Sequence, residues 1–242
     1  MIDHVTIRVP SIEAGARFYD EVFRLLEFPG EAGGGFCEWN DFSIAAATSE
    51  RPATRGLHVG FGARSQDQVD AWWAALTGAG YTSDGEPGPR PGYGDDYYGA
   101  FVLDPAGNSV EAVIHERTAS IEGVVDHLWV RVADLEQATR FYEALAPIVG
   151  HAVDRLPGRT RIRGAGASVS LLAGPPTEGL HLAFAAPDQP TVDAFHAAGL
   201  EAGYTSLGAP GERPEYHVGY YGAYLADPDG NNVEAVFHDR RG

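Results

Sequence analysis

The sequence predicts an α+β protein built by tandem duplication, each copy consisting of two βαβββ-like modules. The chain repeats itself: shifted by 123 positions, residues 3–116 lie over 126–239 without a gap and with roughly two in five positions identical. That is far above chance for unrelated segments of this length. Asp3-His4 returns as Asp126-His127, Arg17-Phe18-Tyr19 as Arg140-Phe141-Tyr142, and Gly80-Tyr81-Thr82-Ser83 as Gly203-Tyr204-Thr205-Ser206. Within each copy the apolar pattern passes twice from strand to helix to strands. Two domains of one fold follow, over residues 1–118 and 123–242, with a short joint near Thr118–Gly123.

In chain order, Ile2–Val9 is a β-rich stretch, and Ser11 is placed to cap a helix carrying Ala16, Phe18, Tyr19 and Val22 on one side. In the second copy Asp134 starts the helix, with Gln137 at capping-box spacing. Gly33–Gly35 marks a turn, after which Phe36–Trp39 and Phe42–Thr48 read as hairpin strands. His58–Ala63 opens the second module, followed by a helix over Gln66–Leu76 with Val69, Trp72, Trp73 and Leu76 as its apolar stripe. The segment Gly85–Asp96 holds too much Gly and Pro for a regular element and is expected over the mouth of a cleft. Tyr97–Asp104 and Ser109–His115 are strands joined by Asp104-Pro105-Ala106-Gly107-Asn108, a strong turn signal.

Composition narrows the function. With 17 Arg+Lys against 34 Asp+Glu the net charge is −17. Such a chain is repelled by phosphate backbones and anionic lipid, so a small-molecule substrate is expected, with no nucleic acid and no membrane as partner. Apolar runs such as Phe42–Ala47 fall far short of the ~20 residues of a membrane span, and Asp3, His4 and Arg8 interrupt any signal peptide. Cys37 is the single cysteine, so no internal disulfide forms and a reducing cytoplasm is the expected compartment. Every basic side chain is arginine, which excludes Schiff-base chemistry and lysine-dependent phosphate loops.

Three polar residues of ligand type interrupt apolar strands in each copy. His4, His58 and Glu111 are separated by 54 and 53 positions (58 − 4 and 111 − 58), and His127, His181 and Glu234 repeat both separations. Two imidazoles and one carboxylate on one face hold a divalent metal ion and leave about three positions open. Iron(II), manganese, zinc and nickel all suit such a set. A histidine in a strand also serves as an ordinary hydrogen-bonded core residue, so the repetition of all three is what favours a metal.

Strand alternation puts Thr6 and Arg8 on the face of His4, Trp129 and Arg131 beside His127, and Val113 and His115 beside Glu111. His115 and His238 are candidate donors behind the metal, and Arg8 and Arg131 candidate anion contacts. Tyr97, Tyr98, Tyr220 and Tyr221 serve either as pocket lining or as packing. Arg90 and Tyr93, echoed by Arg213 and Tyr216, sit in the irregular segments and are better placed to meet substrate. Cys37 has no echo and no assigned role; His151 and His196 have none either and are expected at the surface.

The strand His4-Val5-Thr6, the helix with Phe18-Tyr19, then Leu57-His58-Val59 and Leu103-Asp104-Pro105-x-Gly107-Asn108-x-Val110-Glu111 together resemble the vicinal oxygen chelate superfamily. That group contains glyoxalase I, extradiol ring-cleaving dioxygenases, fosfomycin-resistance enzymes and bleomycin-binding proteins. The resemblance covers nearly the whole chain, twice. It implies two glyoxalase-like domains whose paired βαβββ modules form open, incomplete mixed-sheet barrels around a metal. The implied chemistry is lyase, isomerase or dioxygenase chemistry on a substrate that chelates the metal through vicinal oxygens; the alternative is a bleomycin-type resistance protein that binds without turnover.

Departures from each subgroup are visible. The fourth protein ligand of glyoxalase I has no counterpart in Phe42–Thr48 or Ala167–Leu172. Of the His and Tyr that extradiol dioxygenases place behind the metal, His217 fits the position of one. Leu225 and Val102 stand where the Tyr belongs, with Tyr224 one residue out of register and expected on the other face. Thr6 matches the Thr after the first His of fosfomycin-resistance enzymes, whose substrate-holding Lys is missing. Bleomycin binders share the acidic charge and lack the metal ligands. The likeness to dimeric relatives implies either pairing: His4 with His58 and Glu111, or His4 with His181 and Glu234. The protein is then a monomer acting as a pseudo-dimer, or a homodimer. Because Gly94-Asp95-Asp96 faces His217-Val218-Gly219 in the alignment, two unequal pockets are expected, with His217, Tyr216 and Tyr93 as candidate catalytic residues.

Overall fold

Side-chain caps start the helices where the sequence places them. Ser11 Oγ accepts a hydrogen bond from the Ala14 amide (3.2 Å) and Asp134 Oδ1 one from the Gln137 amide (3.0 Å). The computed structural model describes residues 2–28, 30–33, 35–120, 122–164 and 166–239. Gly34, in the turn expected over Gly33–Gly35, and Ile121, in the expected joint, lie outside the described residues. The first copy forms β1 (Ile2–Val9), α1 (Ile12–Leu25), β2 (Glu31–Gly33), β3 (Phe36–Trp39), β4 (Phe42–Ala46), β5 (His58–Gly62), α2 (Gln66–Gly78), β6 (Ser83–Pro89), β7 (Tyr98–Leu103) and β8 (Ser109–Ile114). The second forms β9 (Val125–Val132), α3 (Leu135–Leu145), β10 (Ala152–Leu156), β11 (Arg159–Arg163), β12 (Ser168–Ala173), β13 (His181–Ala185), α4 (Gln189–Glu201), β14 (Ser206–Glu212), β15 (Tyr220–Ala226) and β16 (Asn232–His238).

These modules pair across the repeat. One mixed sheet runs β14-β15-β16-β13-β1-β4-β3-β2 and the other β10-β11-β12-β9-β5-β8-β7-β6. In each module the strand opening it, β1, β5, β9 or β13, is an edge with unpaired backbone groups. Antiparallel pairing of β1 with β13 and of β5 with β9 removes all four edges. Thr54 Oγ1 donates to the Gly179 carbonyl (2.7 Å) and Thr177 Oγ1 to the Gly56 carbonyl (2.9 Å), so the same bond is made in both directions between copies. Asp41 adds a third tie, accepting from the Val124 and Val125 amides at 2.7 and 3.2 Å. Among the described residues the terminal strands of each sheet find no further partner, so both barrels are open.

On β1, Val5, Ile7 and Val9 are buried on one face while His4, Thr6 and Arg8 occupy the other, as alternation requires. The apolar faces look inward at α1, α2, α3 and α4, which pack in pairs against the sheets. Phe61 of β5 meets Phe23 of α1 (ring centroids 4.6 Å) and Phe42 of β4 (4.9 Å), so the two modules of one copy share a core although their strands belong to different sheets. No helix is long and apolar enough to cross a membrane.

Two expectations need correcting. The Gly/Pro-rich stretch after Thr82 is a strand, β6, over Ser83–Pro89. It survives because it is an edge strand with register shifts, where Pro lacks no ladder donor. His151 and His196 are buried rather than superficial. His151 lies beside Phe184 (centroids 4.9 Å) and donates from Nδ1 to the Val149 carbonyl (3.0 Å); His196 Nε2 lies 2.7 Å from Ser206 Oγ. Of the two readings for Tyr98 and Tyr221, packing is the one found: both lie against the core, and their hydroxyls donate to Asp70 and Asp193 of α2 and α4.

The turn between β7 and β8 is a buried knot. Asp104 Oδ1 accepts from the amides of Ala106 and Asn108, both at 2.8 Å. Asn108 Nδ2 donates to Asp104 Oδ2 and to the Thr54 carbonyl at 3.0 Å, and its Oδ1 accepts from the Leu57 amide at 3.2 Å. Asp227 and Asn231 repeat the arrangement. The knot sets the register of β8 on β5, which places Glu111 near His58. Replacing Asn108 by Ala strands buried partners of three bonds and is expected to cost about 2–4 kcal/mol, read as a lowered urea midpoint with unchanged slope.

Candidate metal centres and the cleft

Of the two pairings left open, the structure forms the exchanged one. His4 Nε2 lies 3.0 Å from His181 Nε2, with Glu234 Oε2 3.1 Å from His181 and 3.7 Å from His4. We call this centre 1. Centre 2 brings His58 Nε2 to 3.1 Å from His127 Nε2, and Glu111 Oε2 to 3.1 Å from His58 and 3.2 Å from His127. Each centre takes one His from the opening strand of one copy, and a His and a Glu from the other copy. Both are completed within a single chain.

The geometry fits a divalent metal. Ligand atoms about 2.1 Å from one ion and at right angles lie about 3 Å apart, and that is the spacing found. The outer nitrogens are anchored so that Nε2 points inward. His4 Nδ1 lies 2.8 Å from Asp3 Oδ1 and His127 Nδ1 2.8 Å from Asp126 Oδ1. His58 Nδ1 lies 3.0 Å from Ser109 Oγ, whose own proton goes to Asp84 at 2.7 Å, so the ring is the donor. A ring donating from Nδ1 presents its Nε2 lone pair to a metal. Glu234 Oε2 is buried without a hydrogen bond, a costly state that a cation between the imidazoles relieves.

The second oxygens of the carboxylates are held too. Tyr97 donates to Glu111 Oε1 (2.8 Å) and Tyr220 to Glu234 Oε1 (2.7 Å), so these tyrosines orient ligands. Burial, with the neighbouring carboxylate, pushes both phenol pKa values far up, so they remain donors. Glycine makes room for each carboxylate: a Cβ on Gly99 would fall 2.3 Å from Glu111 Oε1, and one on Gly222 2.4 Å from Glu234 Oε1. Burial raises the Asp126 pKa, but hydrogen bonds from His115 and His127 bring it well below the carboxylate range, and Asp3 is lowered likewise by His238 and His4. Burial pulls His127 down, yet Asp126 and Glu111 hold it up at about 9. His58 is depressed, chiefly by burial.

The two centres differ in what surrounds them. Centre 2 floors a cleft of about 590 Å³ whose walls include Arg90, Tyr93, Trp129 and Arg131. Tyr93 is half exposed and its ring lies 5.2 Å from those of both Tyr97 and Trp129. Tyr216 and His217 belong to the surroundings of centre 1. The Tyr216 ring lies tilted against that of Tyr220 (centroids 4.9 Å), and His217 Nε2 lies 2.8 Å from His238 Nδ1. His238 Nε2 in turn lies 3.0 Å from Asp3 Oδ2, so a continuous hydrogen-bonded chain joins exposed His217 to ligand His4. Its ends are acceptors: His217 Nδ1 faces the Val218 carbonyl at 2.9 Å and His238 Nε2 faces a carboxylate. Filling all three bonds takes three protons on four ring nitrogens, one more than two neutral rings carry. At centre 2, His115 lies 2.9 Å from Asp126 in the same way, but Gly94 replaces His217 and the chain stops.

Tyr224 requires a correction. It was expected on the face away from the ligands. In fact it pairs in register with Glu234, and residues paired across antiparallel strands share a face. Its ring lies 6.3 Å from that of His181, with a buried hydroxyl that makes no hydrogen bond, while Leu225 points into the core. Asp3, Asp126 and the two glycines were not anticipated. The doubled Asp-His pairs were a signal, since an acidic residue beside a strand His recurs in both copies.

The glyoxalase/bleomycin resistance protein/dioxygenase superfamily model matches residues 1–112 and again 124–235. The chain belongs to this superfamily. No curated protein matches it in sequence. Among solved structures, glyoxalase I from Zea mays is similar at 19% identity and a TM-score of 0.68, covering 98% of this chain and 92% of that one. A protein from Bacillus subtilis assigned as a dioxygenase is similar at 14% identity and 0.66, over 98% and 85%. Both likenesses concern the fold: two tandem glyoxalase-like repeats, α+β throughout.

Gly222→Ala gives a direct check on centre 1. The added methyl displaces Glu234, and zinc affinity at that centre is expected to fall about 10–100-fold with the circular dichroism spectrum retained. Calorimetric titration resolving two sites per chain measures it.

Proposed function

We propose that the protein is a metal-dependent enzyme acting on a small molecule that binds the metal through two vicinal oxygens. The observation that carries this reading is the pair of His-His-Glu triads, each with a buried carboxylate and with ligand atoms 3.0–3.7 Å apart. His4, His181 and Glu234 would hold one ion, and His127, His58 and Glu111 the other. Bound there, an iron(II), manganese, zinc or nickel ion would supply Lewis acidity, stabilising negative charge on the substrate oxygens. Three protein ligands leave room for a bidentate substrate, consistent with lyase, isomerase or dioxygenase chemistry.

The remaining roles belong to the chain itself. At centre 1 His217 exchanges protons with solvent and, through His238 and Asp3, holds a proton in the wall of the site. The buried Tyr224 hydroxyl offers a further donor on the same face. Tyr216 closes over Tyr220, and at centre 2 Tyr93 and Trp129 form an aromatic wall that holds substrate and excludes water.

Metal analysis of protein purified without added metal tests the reading. Near two equivalents per chain are expected, falling to near one in His58→Ala and in His181→Ala separately. A metal-free protein that still binds ligands in its cleft would instead be a sequestering protein of the bleomycin-resistance type. His217→Gln is expected to keep both metals and lower turnover at centre 1 about 10²-fold or more; unchanged turnover removes His217 from the mechanism.

A further inference from the structure

The strand that forms the outer wall of each centre differs in charge between the copies. Counting outward from the ligand strand, Trp129 on β9 pairs with Ser170 on β12 and that with Arg161 on β11; Arg131 pairs with Leu172 and that with Arg159. At centre 1 the corresponding register runs from Thr6 through Ser43 to Glu38, and from Arg8 through Ala45 to Phe36. Arg8 and Arg131, and Arg90 and Arg213, are shared between the copies. The difference is that Arg159 and Arg161 stand where Phe36 and Glu38 stand at the other centre.

Of the arginines around centre 2, Arg90, Arg131 and Arg159 form no ion pair with an acid among the described residues, and Arg161 pairs in register with Asp154 of β10, which Arg163 already holds, in a chain where acids outnumber bases two to one. Elsewhere Arg17, Arg24, Arg64, Arg140, Arg155 and Arg163 form ion pairs with Asp or Glu, while Arg8 and Arg213 beside centre 1 donate to backbone carbonyls. By contrast Arg131 lines the cleft with no side-chain hydrogen bond or ion pair among the described residues. Arg159 lies 5.8 Å over the Trp129 ring, and Arg90 donates only to backbone carbonyls while stacking on Phe101 at 5.2 Å. Arg161 donates to Ser168 Oγ at 3.3 Å, and Ser168 is the in-register neighbour of His127. Of the two acids lining the cleft, Asp84 accepts a hydrogen bond from Ser109 and Glu111 belongs to the triad. Arg90 and Arg131 line the cleft directly, and Arg159, over Trp129, and Arg161, two strands out in register, stand beside its wall, so together they create a local positive potential that an anionic ligand relieves. The Debye length is about 8 Å at physiological salt, so this patch acts on a ligand in the cleft despite the chain's net charge of −17.

We propose that centre 2 takes an anionic substrate, a small molecule carrying a carboxylate or phosphoryl oxyanion beside its chelating oxygens, and that centre 1, walled by Glu38, does not favour one. The oxyanion meets Arg131, Arg159 and Arg161, and the body of the molecule lies against Trp129 and Tyr93. The tandem enzyme thus carries two centres of different substrate charge. This deepens the metal-enzyme reading and rests on it for the chelating part, while the charge of the cleft is separable from the metal.

The test has two arms. In chelator-treated protein, quenching of the Trp129 emission, isolated as the difference from Trp129→Phe, is compared for iodide and caesium. With each quencher scaled to its effect on free N-acetyltryptophanamide, iodide is expected to quench at least about threefold more strongly, and this excess to vanish in Arg159→Gln/Arg161→Gln. Equal or reversed quenching overturns the proposal whether or not metal binds. In zinc-loaded protein, oxalate affinity is compared between His4→Ala/His181→Ala, which retains centre 2, and His58→Ala/His127→Ala, which retains centre 1. Centre 2 is expected to bind oxalate about tenfold or more tightly, and Arg159→Gln/Arg161→Gln to erase the difference with zinc content unchanged. Equal affinities overturn the proposal. A protein that takes up no zinc fails the metal reading instead, leaving the quenching arm to decide the charge of the cleft.

Discussion

Everything in this molecule depends on the pairing of opening strands across the repeat. A βαβββ module ends in an open edge, and an open edge with apolar neighbours is an invitation to aggregate. Here β1 is sealed by β13 and β5 by β9. Because His4 and His127 sit on two of these strands and His181 and His58 on the others, sealing the edges and assembling the ligand sets are one event. The reciprocal Thr54–Gly179 and Thr177–Gly56 bonds fasten the exchange at its centre.

Assembling the triads puts polar groups on strands that are otherwise apolar, and each is supported accordingly. Asp3 and Asp126 turn the imidazoles, Tyr97 and Tyr220 turn the carboxylates, and Gly99 and Gly222 leave the space. Buried charge without such partners costs several kcal/mol per group. The support lies on both sides of the interface between copies, so neither copy builds a centre alone.

Duplication has preserved the ligands and their immediate supports while the walls have diverged. His217 and the Tyr224 hydroxyl occur near centre 1, where centre 2 has Gly94 and Phe101. Arg159, Arg161 and Trp129 occur near centre 2, where centre 1 has Phe36, Glu38 and Thr6. Side chains that must meet within about 3 Å tolerate little change, whereas those two strands away can be altered without disturbing the triads.

How much could be read in advance follows from the range of each interaction. The duplication, the helix caps, the alternation on β1 and the six ligand-type residues depend on neighbours or on a fixed repeat, and all were legible in the amino-acid order. The Gly/Pro content of β6 misled because edge strands tolerate what central strands reject. Tyr224 misled because its face was inferred from a motif alignment, whereas its register with Glu234 is set by cross-strand hydrogen bonds. His151 and His196 looked superficial because a single unrepeated polar residue carries no burial signal, yet each found a partner inside. Which His joins which Glu could not be settled by spacing, since both copies carry identical separations and either pairing satisfies them. Only three-dimensional edge pairing, which joins His58 to His127 across 69 positions and His4 to His181 across 177, chose between them.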